Sequence, residues 1–348
     1  MGISAALGSS ALLPAGLGFR NLLINGDFRV NQRGFSSTTT TGAYGFDRWT
    51  MIGNGGTTTY SAQTFSLGNA IPGYEPQNFA RIVSSGQSAS SSYSIFIQKI
   101  ENVRTAAGLP VVLSFWAKAA SGTPKVAIEL YQYFGTGGSP SASVSTHAGQ
   151  VTLSTSWQRF TVLATLPSIA GKTVGTTMDG ALEVNMWVSG GSDYNSRTGS
   201  LGIQSNTFDF WGVQIEQNYQ PTPFEQRPYG VELQLCQRYY YRYSNATLNG
   251  GGLGYISGFS STRGFGYVHI PTEMRGSITI TPTSCQYDTL SLSNAGNITA
   301  LSTYPTVANA ANTTTLMVDC TLSAGATAGT LYHFRVASGG AIQFSAEL

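Results

Sequence analysis

The side chains suited to acid–base or nucleophilic catalysis are few in this sequence and widely separated. Its three histidines, His147, His269 and His333, have no serine or cysteine nucleophile signature beside them, and the chain lacks Gly-x-Ser-x-Gly. A glycosidase needs two facing carboxylates, and Glu129 and Glu183 on predicted strands could provide them. Because such acids more often pair with a neighbouring Lys or Arg, we predict that the chain is not an enzyme.

Three cysteines are the other reactive groups. Cys236, Cys285 and Cys320 are widely spaced, with no Cys-x-x-Cys motif and no nearby histidine pair, so they do not build a zinc site. A disulfide between Cys285 and Cys320 would require two strands to bring them together. Buried free thiols are the commoner fate of such residues, and we favour them here.

Aromatic rings offer a different chemistry, because their flat faces can stack on sugar rings. All five tryptophans lie in the N-terminal two thirds of the chain. Trp116 and Trp211 fall inside apolar runs and are expected in a core. Trp49, Trp157 and Trp187 are therefore the candidates for glycan contact.

The overall charge is low and evenly distributed. Charged residues make up 10% of the chain, against about 25% in an average soluble domain. The net charge of +2, from 18 basic and 16 acidic residues, forms no stripe able to neutralise a row of phosphates, so we predict no nucleic-acid partner. The 42 glycines and the scarcity of helix-forming surface residues favour strands joined by short turns.

Short runs rich in β-branched and aromatic residues alternate with turn clusters, as in an all-β sandwich. The clearest strand candidates span residues 80–84, 94–100, 111–117, 125–133, 158–163, 181–188 and 208–216. Three prolines within residues 221–230 indicate a domain boundary. Beyond residue 250 the Gly- and Thr-rich β pattern returns, which predicts a second, smaller β domain.

One helix is predicted directly after the proline-rich boundary, over residues 231–243. Apolar residues recur along it at four-residue spacing, and two more widen the same stripe. These six positions are Val231, Leu235, Cys236, Tyr239, Tyr240 and Tyr243. A helix of about thirteen residues is marginal alone, so the stripe must be buried. We predict a homotrimer interface formed by Val231, Leu235, Tyr239, Tyr240 and Tyr243. The competing interpretation is that the stripe packs on the chain's own β domains.

The first eighteen residues are small and apolar. They lack the basic start of a secretory signal, and Gly8, Pro14 and Gly16 interrupt them, so they are too short and too broken to span a membrane. Ala6 stands where a myristoylation pattern requires Ser or Thr. We interpret residues 1–18 as an anchor segment that docks on a partner, and we predict no membrane insertion.

Seven segments, in order along the chain, resemble a series found in tail-fibre or virion structural proteins of tailed phages and prophages. They are NLLINGDFRVNQRG, YGFDRW, VLSFWAKA, TLSTSWQRFTV, LPSIAGKTVG, FDFWGVQIE and TPFEQRPYGVELQLCQRYY. The resemblance covers residues 19–243 and rests on the number and order of the segments. After that point only IPTEMRG and the terminal FSAEL are similar.

The N-terminal half also resembles the jelly-roll carbohydrate-binding modules. These modules open with an Asn-Gly-x-Phe strand, carry a Ser-Phe-Trp-x-Lys strand and close with a strand that contains an Asp. The matching residues are Asn25, Gly26 and Phe28, then Ser114, Phe115, Trp116 and Lys118, and finally Asp209. Such modules often hold a structural calcium, so the resemblance implies calcium at Asn25, Asp27 and Asp209. The alternative is that these residues only satisfy the amides of local turns.

Together these features predict an all-β chain in four parts. Residues 1–18 form the N-terminal anchor segment, and residues 19–227 form a jelly-roll-like β-sandwich similar to a carbohydrate-binding module. Residues 228–246 form a short helical connector, and residues 247–348 form a smaller C-terminal β-sandwich domain. Apart from the implied calcium, no cofactor is expected.

The resemblance implies a structural component on the exterior of a phage virion. We expect a short fibre or spike subunit that displays its β domains for attachment to host-surface glycans and contacts other virion proteins through residues 1–18. The first alternative is a capsid decoration or head-fibre protein that reinforces the particle without binding a receptor. The second is a polysaccharide depolymerase, which would need the carboxylate pair in a groove.

Overall fold

The computed structural model describes residues 19–68, 71–244, 251–288, 294–303, 315–323 and 325–348. Within these ranges the chain forms eighteen β-strands and two short α-helices. The predicted anchor segment, residues 1–18, lies outside the described residues. In the part of the chain that the structure describes, no helix is long and apolar enough to cross a membrane.

Two antiparallel sheets pack face to face and form the N-terminal sandwich. In spatial order, the six-stranded sheet contains β1 (Ser37–Thr38), β3 (Thr57–Thr64), β4 (Asn78–Ser85), β11 (Asn206–Glu216), β6 (Pro110–Ala119) and β9 (Gln158–Thr165). The five-stranded sheet contains β2 (Thr50–Asn54), β5 (Tyr93–Glu101), β10 (Ala181–Gly190), β7 (Lys125–Tyr133) and β8 (Val144–Thr152). The chain crosses repeatedly from one sheet to the other, as in a jelly roll.

Alternate residues of the strands build the core between the two sheets. Phe96 of β5 stacks on Phe210 of β11, with 5.8 Å between ring centroids. Phe115 of β6 lies 6.2 Å from the same Phe210 ring. All three rings are fully buried. Sheets about 10 Å apart require such interdigitated side chains, which explains the period-two pattern of aromatic residues in these strands.

Two glycines are required around β11. Gly26 lets the opening segment approach this strand closely, and Gly212 lets the strand itself bend. A Cβ on Gly26 would lie 2.1 Å from the carbonyl oxygen of Val213, so only glycine lets the opening segment pair there. Gly212 has φ = +62° at a shift in register between Trp211 and Gln214 of the β11–β6 pair. Glycine adopts this backbone conformation readily, and it permits the bulge.

The C-terminal strands close into one barrel-like sheet. Its strands are β12 (Tyr240–Ser244), β18 (Leu331–Ser345), β13 (Gly251–Ser260), β14 (Arg263–His269), β17 (Thr315–Leu322), β16 (Asn294–Thr303) and β15 (Thr279–Asp288). The fifteen-residue β18 pairs with both β13 and β15, which closes the ring. The all-β class, the sandwich and a helical connector are confirmed. The sequence predicts a second sandwich for the C-terminal part, whereas the structure has one closed sheet. The sheet closes because β18 is long enough to pair with both β13 and β15, so neither strand is left with an exposed edge.

The predicted helix over residues 231–243 is too long. The observed helix α2 spans Tyr229–Gln237, and the tyrosine run continues as β12, in which Tyr240 pairs with Ser345 of β18. Aromatic residues favour strands, and pairing with β18 satisfies the backbone groups that a longer helix would have used. The other helix, α1 (Asn195–Thr198), follows a 3₁₀ turn at Ser192–Tyr194.

The predicted trimer stripe therefore does not lie on one helix face, and two of its tyrosines pack within the chain itself. Tyr239 and Tyr240 are each 3% exposed. The Arg48 guanidinium lies 3.4 Å from the Tyr239 ring centroid, and the Tyr239 hydroxyl donates to Glu101. The other three positions, Val231, Leu235 and Tyr243, are half-buried. Burial of this stripe consequently requires no trimer, and the homotrimer stays a prediction.

The last residues of the chain connect the barrel to the sandwich. Glu347 forms ion pairs with Arg33 and with Arg48, a residue that is 1% exposed. Burial alone would lower the pKa of Arg48, but the charge of Glu347, the neighbouring Tyr239 and Tyr44 and the hydrogen bond to Glu347 together raise that pKa. The Tyr44 hydroxyl also donates to the backbone oxygen of Leu348 at 2.8 Å. These contacts link the C-terminal residues that follow β18 to residues 33–48 of the sandwich.

The prediction of free thiols is confirmed. Cys236, Cys285 and Cys320 are all free and buried. Burial raises the pKa of Cys285 to about 11 and that of Cys320 to about 12. The protein environment therefore keeps these sulfurs in their unreactive thiol form.

Candidate functional site

The outer face of the five-stranded sheet, turned away from the six-stranded sheet, carries an unusual mixture of buried aromatic and polar side chains. In β10, Val184 and Met186 point into the sandwich core, so Glu183, Asn185 and Trp187 must point outward. Trp187 is fully buried even so, in a separate apolar cluster on this outer side. Something other than the sandwich core therefore covers part of this face.

The cover is the segment that follows β10. It turns back over the sheet through the Ser192–Tyr194 turn and α1. The Tyr194 ring lies 5.2 Å from the Trp187 ring and 5.2 Å, edge-on, from the Tyr93 ring of β5. These aromatic contacts hold the segment on the sheet, and they place Arg197 above β7.

Glu129 of β7 organises the polar part of this face. It is fully buried and accepts hydrogen bonds from Arg197 Nε at 2.6 Å and Nη2 at 2.9 Å. It also accepts from Trp187 Nε1 at 2.9 Å, from Asn185 Nδ2 at 3.1 Å and from the Ser145 hydroxyl. Burial would lower the pKa of Arg197, but its bonds and charge attraction to Glu129 raise it. The carboxylate is thus saturated with donors and fixes the orientation of its neighbours.

Between the cover segment and the edge of the sheet lies a pocket with a volume of about 120 Å³. We call it the Trp187 pocket. Its lining residues are Ile52, Tyr93, Ile95, Ile97, Glu183, Asn185, Trp187, Tyr194 and Arg197. A closed cavity of about 150 Å³ holds a benzene molecule, so the smaller but open Trp187 pocket could admit part of one six-membered ring.

The pocket wall contains an unsatisfied hydrogen-bond acceptor. Asn185 is 2% exposed, and its Oδ1 atom has no hydrogen-bond partner among the residues that the structure describes. Asn185 lies between Glu129 on one neighbouring strand and Ile97 on the other. Its Nδ2 donates to Glu129, and Asn185 is one of the residues that line the pocket. Buried acceptors nearly always have a donor, so Asn185 is a polar residue of the pocket wall whose hydrogen bonding is incomplete in this structure.

The open end of the pocket carries two opposite charges, which neutralise each other. Glu183 and Lys99 lie on adjacent strands with 3.4 Å between the carboxylate and the ammonium. Their side chains are 14% and 28% exposed. A ring in the pocket would therefore meet aromatic walls, an apolar floor and several hydrogen-bonding groups. This combination suits a sugar, which has an apolar C–H face and a polar rim.

The structure gives different surroundings to the two carboxylates considered for glycoside hydrolysis. Glu129 and Glu183 do share the outer face, as alternation along β7 and β10 requires. However, Glu129 receives five hydrogen bonds and has no free position for a proton transfer. Its geometry is that of a structural anion, which leaves Glu183 without the partner that hydrolysis needs.

The three tryptophans predicted to contact glycan lie in three different environments. Trp49 is a core residue, contrary to the prediction, because it stacks on Phe96 at 4.7 Å and donates to the Asn25 oxygen. Trp187 is buried too, but it lines the pocket. Trp157 is half-buried, next to β9, and packs on Phe65 at 5.3 Å, outside the pocket lining.

The residues implied as calcium ligands belong to separate networks. The Asn25 side chain accepts from the Val30 amide and donates to the Val30 oxygen. Asp27 pairs with Arg29 at 2.9 Å, and Asp209 receives two hydrogen bonds from Arg81 at 2.7 and 2.9 Å. Among the described ranges, no group of three or more His, Cys, Asp or Glu residues could hold a metal ion. Structural calcium stays a prediction, without a preassembled ligand set.

Sequence reasoning did not identify Tyr93, Asn185, Tyr194 or Arg197 as site residues. A usable signal lies in β10, where the polar residues Glu183 and Asn185 alternate with apolar ones and precede Trp187 on the same side. Polar residues in an otherwise apolar strand indicate a partly covered outer face. Tyr194 and Arg197 carry no such signal, because their positions depend on how the cover segment folds back.

No protein-family model matches the chain, and no curated protein matches it either. Among solved structures, the chain is similar to a module named CBM4, with 18% identity, a TM-score of 0.32 and coverage of 55% of this chain and 97% of that one. It is also similar to the family 11 carbohydrate-binding module of Clostridium thermocellum in complex with a β-1,3-1,4-mixed-linked tetrasaccharide, with 9% identity, a TM-score of 0.31 and coverage of 54% and 99%.

A third similar structure is the enzymatically active domain of tailspike protein 4 from bacteriophage CBA120. Its identity is 14% and its TM-score 0.32, and the match covers 57% of this chain but 21% of that one. Similarities this low assign no family to the chain.

Proposed function

We propose that the chain is a non-catalytic structural subunit on the exterior of a tailed-phage virion, and that its sandwich binds a glycan of the host surface in the Trp187 pocket. The observation that carries the binding proposal is the pocket itself, whose walls combine aromatic rings with hydrogen-bonding side chains. A sugar ring would pack against Tyr194 while its hydroxyls bind polar side chains of the pocket wall such as Glu183. The virion assignment rests on the resemblance of residues 19–243.

The absence of catalysis is part of the proposal. Hydrolysis of a glycosidic bond requires one carboxyl that gives up a proton and a second that acts as base or nucleophile. Glu129 is committed to Arg197, Trp187, Asn185 and Ser145. These donors occupy the oxygens of Glu129, so the carboxylate has no free position from which to exchange a proton with a substrate. The pocket thus binds and releases its ligand unchanged.

Assembly into the particle is proposed on sequence grounds. Residues 1–18 would attach the subunit to other virion proteins, because a small, apolar segment becomes stable when a partner covers it. We also propose a homotrimer, since closed cyclic symmetry presents every sugar-binding face equivalently. Deletion of residues 1–18 should yield soluble protein that no longer joins particles, whereas normal incorporation would refute the attachment role.

The binding proposal is tested by screening the full chain on an array of bacterial surface glycans. Tyr194→Ala, which removes a pocket wall, should weaken binding at least about tenfold, since loss of one aromatic contact and its buried area is worth about 1.4 kcal/mol. Tyr219→Ala is the matched control, because Tyr219 is 67% exposed and lies outside the pocket lining. Equal binding by both variants would refute the pocket.

Two further results would redirect the proposal. A wild-type chain that binds no glycan on the array, combined with unchanged phage adsorption when the protein is removed, would favour a capsid decoration protein. Release of new reducing ends from a polysaccharide, abolished by Glu183→Gln, would establish a depolymerase instead. Under our proposal, wild type and Glu183→Gln both leave the polysaccharide chain length unchanged.

A further inference from the structure

The C-terminal barrel carries exposed aromatic side chains on its outer surface. Tyr255, Phe259 and Tyr267 are 55%, 61% and 58% exposed, and Leu331 is 46% exposed. Large aromatic residues are normally buried, and a group of them on one surface usually indicates an interaction site. We call the surface formed by Tyr255, Phe259, Tyr267, Leu331 and their polar neighbours the barrel patch.

Strand register places these side chains together. On β13, β14 and β18, residues alternate between the barrel interior and the exterior: Ile256, Val268 and Tyr332 are buried, whereas the patch residues point outward. Ile256 lies opposite Gly266, which sets Tyr255 next to Tyr267. Ser257 lies opposite Leu331 on the other side. The rings therefore form part of a continuous surface across three neighbouring strands.

Polar groups are interleaved with the rings. Exposed Ser257 lies between Tyr255 and Phe259 on the same side of β13. The Arg263 guanidinium lies 5.7 Å from the Phe259 ring centroid and binds the Asp319 carboxylate through both Nε and Nη2. The two charges neutralise each other, and the Arg263 and Asp319 side chains are 45% and 19% exposed beside the rings.

The area of the patch indicates the size of its partner. A tyrosine or phenylalanine buries about 150–250 Å² when it is fully covered, so the three half-exposed rings offer roughly 300–400 Å². A stable protein–protein interface needs about 800 Å² from each partner. The three rings by themselves supply at most about half of that area, and they are wide enough for a few sugar rings.

We propose that the barrel patch is a second carbohydrate-binding surface, specific for an uncharged oligosaccharide. Tyr255 and Tyr267 would stack on the C–H faces of adjacent sugar rings, and the Arg263–Asp319 pair and Ser257 would bind their hydroxyls. The uncharged ligand follows from the ion pair, because Arg263 and Asp319, the charged side chains described in the patch, neutralise each other. This surface is independent of the Trp187 pocket and would bind with or without it.

The test uses an array of neutral glycans and three full-chain variants. The double variant Tyr255→Ala/Tyr267→Ala should lose binding to at least one glycan by about tenfold or more, since each aromatic contact and its buried area are worth roughly that factor. The control Tyr219→Ala/Tyr229→Ala removes two tyrosines that are 67% and 53% exposed elsewhere, and it should bind like wild type. Tyr194→Ala reports on the Trp187 pocket separately.

The outcomes distinguish the two sites. A glycan that is lost with Tyr255→Ala/Tyr267→Ala and retained with Tyr194→Ala supports the barrel patch whether or not the pocket binds sugar. Signals that depend only on Tyr194, or no neutral glycan bound at all, overturn it. Concentration-dependent self-association that the double variant abolishes would also overturn it, in favour of a second copy. If the double variant unfolds, the test is made by NMR on wild type with ¹³C-labelled tyrosine rings. A glycan bound at the barrel patch must then shift the Tyr255 and Tyr267 signals.

Discussion

Replacing Glu129 with Gln tests whether the buried carboxylate on the outer face holds the site together. The substitution preserves shape but removes the charge that pairs with Arg197 and introduces an amide among five donors. Loss of one member of a buried ion pair costs about 3–5 kcal/mol. Because the Arg197 side chain is 32% exposed, water would recover part of its solvation, and we expect a loss of about 3 kcal/mol.

The matched control is Glu183→Gln on the same face. Glu183 pairs with Lys99 at 3.4 Å, and both side chains reach solvent, so its removal should cost at most about 1 kcal/mol. For a domain of about 200 residues, the two changes correspond to drops in melting temperature of about 6–12 °C and at most about 4 °C. Thermal unfolding of the full chain measures both. Equal drops for the two variants would show that the Glu129 network does not stabilise the sandwich.

Three further outcomes follow from buried charges and thiols. Glu347→Gln leaves the Arg48 guanidinium without its anionic partner, so it should lower the free energy of unfolding by about 3 kcal/mol. Calorimetry should then show the barrel unfolding separately from the sandwich. A single transition at the wild-type temperature would contradict this. Burial raises the pKa of Asp47 to about 6, so its contribution to stability is complete below about pH 4 and is lost as the pH rises through 6. Asp47→Asn should flatten that part of the pH dependence of the urea midpoint. Cys285 and Cys320, with raised pKa values, should react with a thiol reagent only after unfolding, and reaction in the native state would disprove their burial.

The alternation of side chains along the strands made most of the fold predictable. All seven strand candidates coincide with observed strands, and the proline-rich segment precedes the helix α2. The same local signals failed where long-range pairing decided the outcome. Tyr240 and Tyr243 fit a helical stripe by spacing, but β18 offers them a strand partner that lies about one hundred residues away in sequence. Closure of the barrel by β18 also depends on such distant pairing.

The candidate binding face could not be predicted from the sequence for a related reason. Trp49 and Trp187 are both fully buried, so neither residue type nor exposure separates the core tryptophan from the one that lines a pocket. What separates them is the sheet face from which each ring projects, and the position of Tyr194 over Trp187.

The same substitution, made separately at Trp49 and at Trp187, can therefore distinguish the two roles. Trp49→Leu should destabilise the sandwich by about 3 kcal/mol or more, as for other large core residues, without changing glycan affinity below the new melting temperature. Trp187→Leu should weaken both stability and binding, because its ring supports Tyr194 and donates to Glu129. Calorimetry of unfolding and of glycan binding on both variants would reveal the difference, and identical affinities would place the sugar elsewhere.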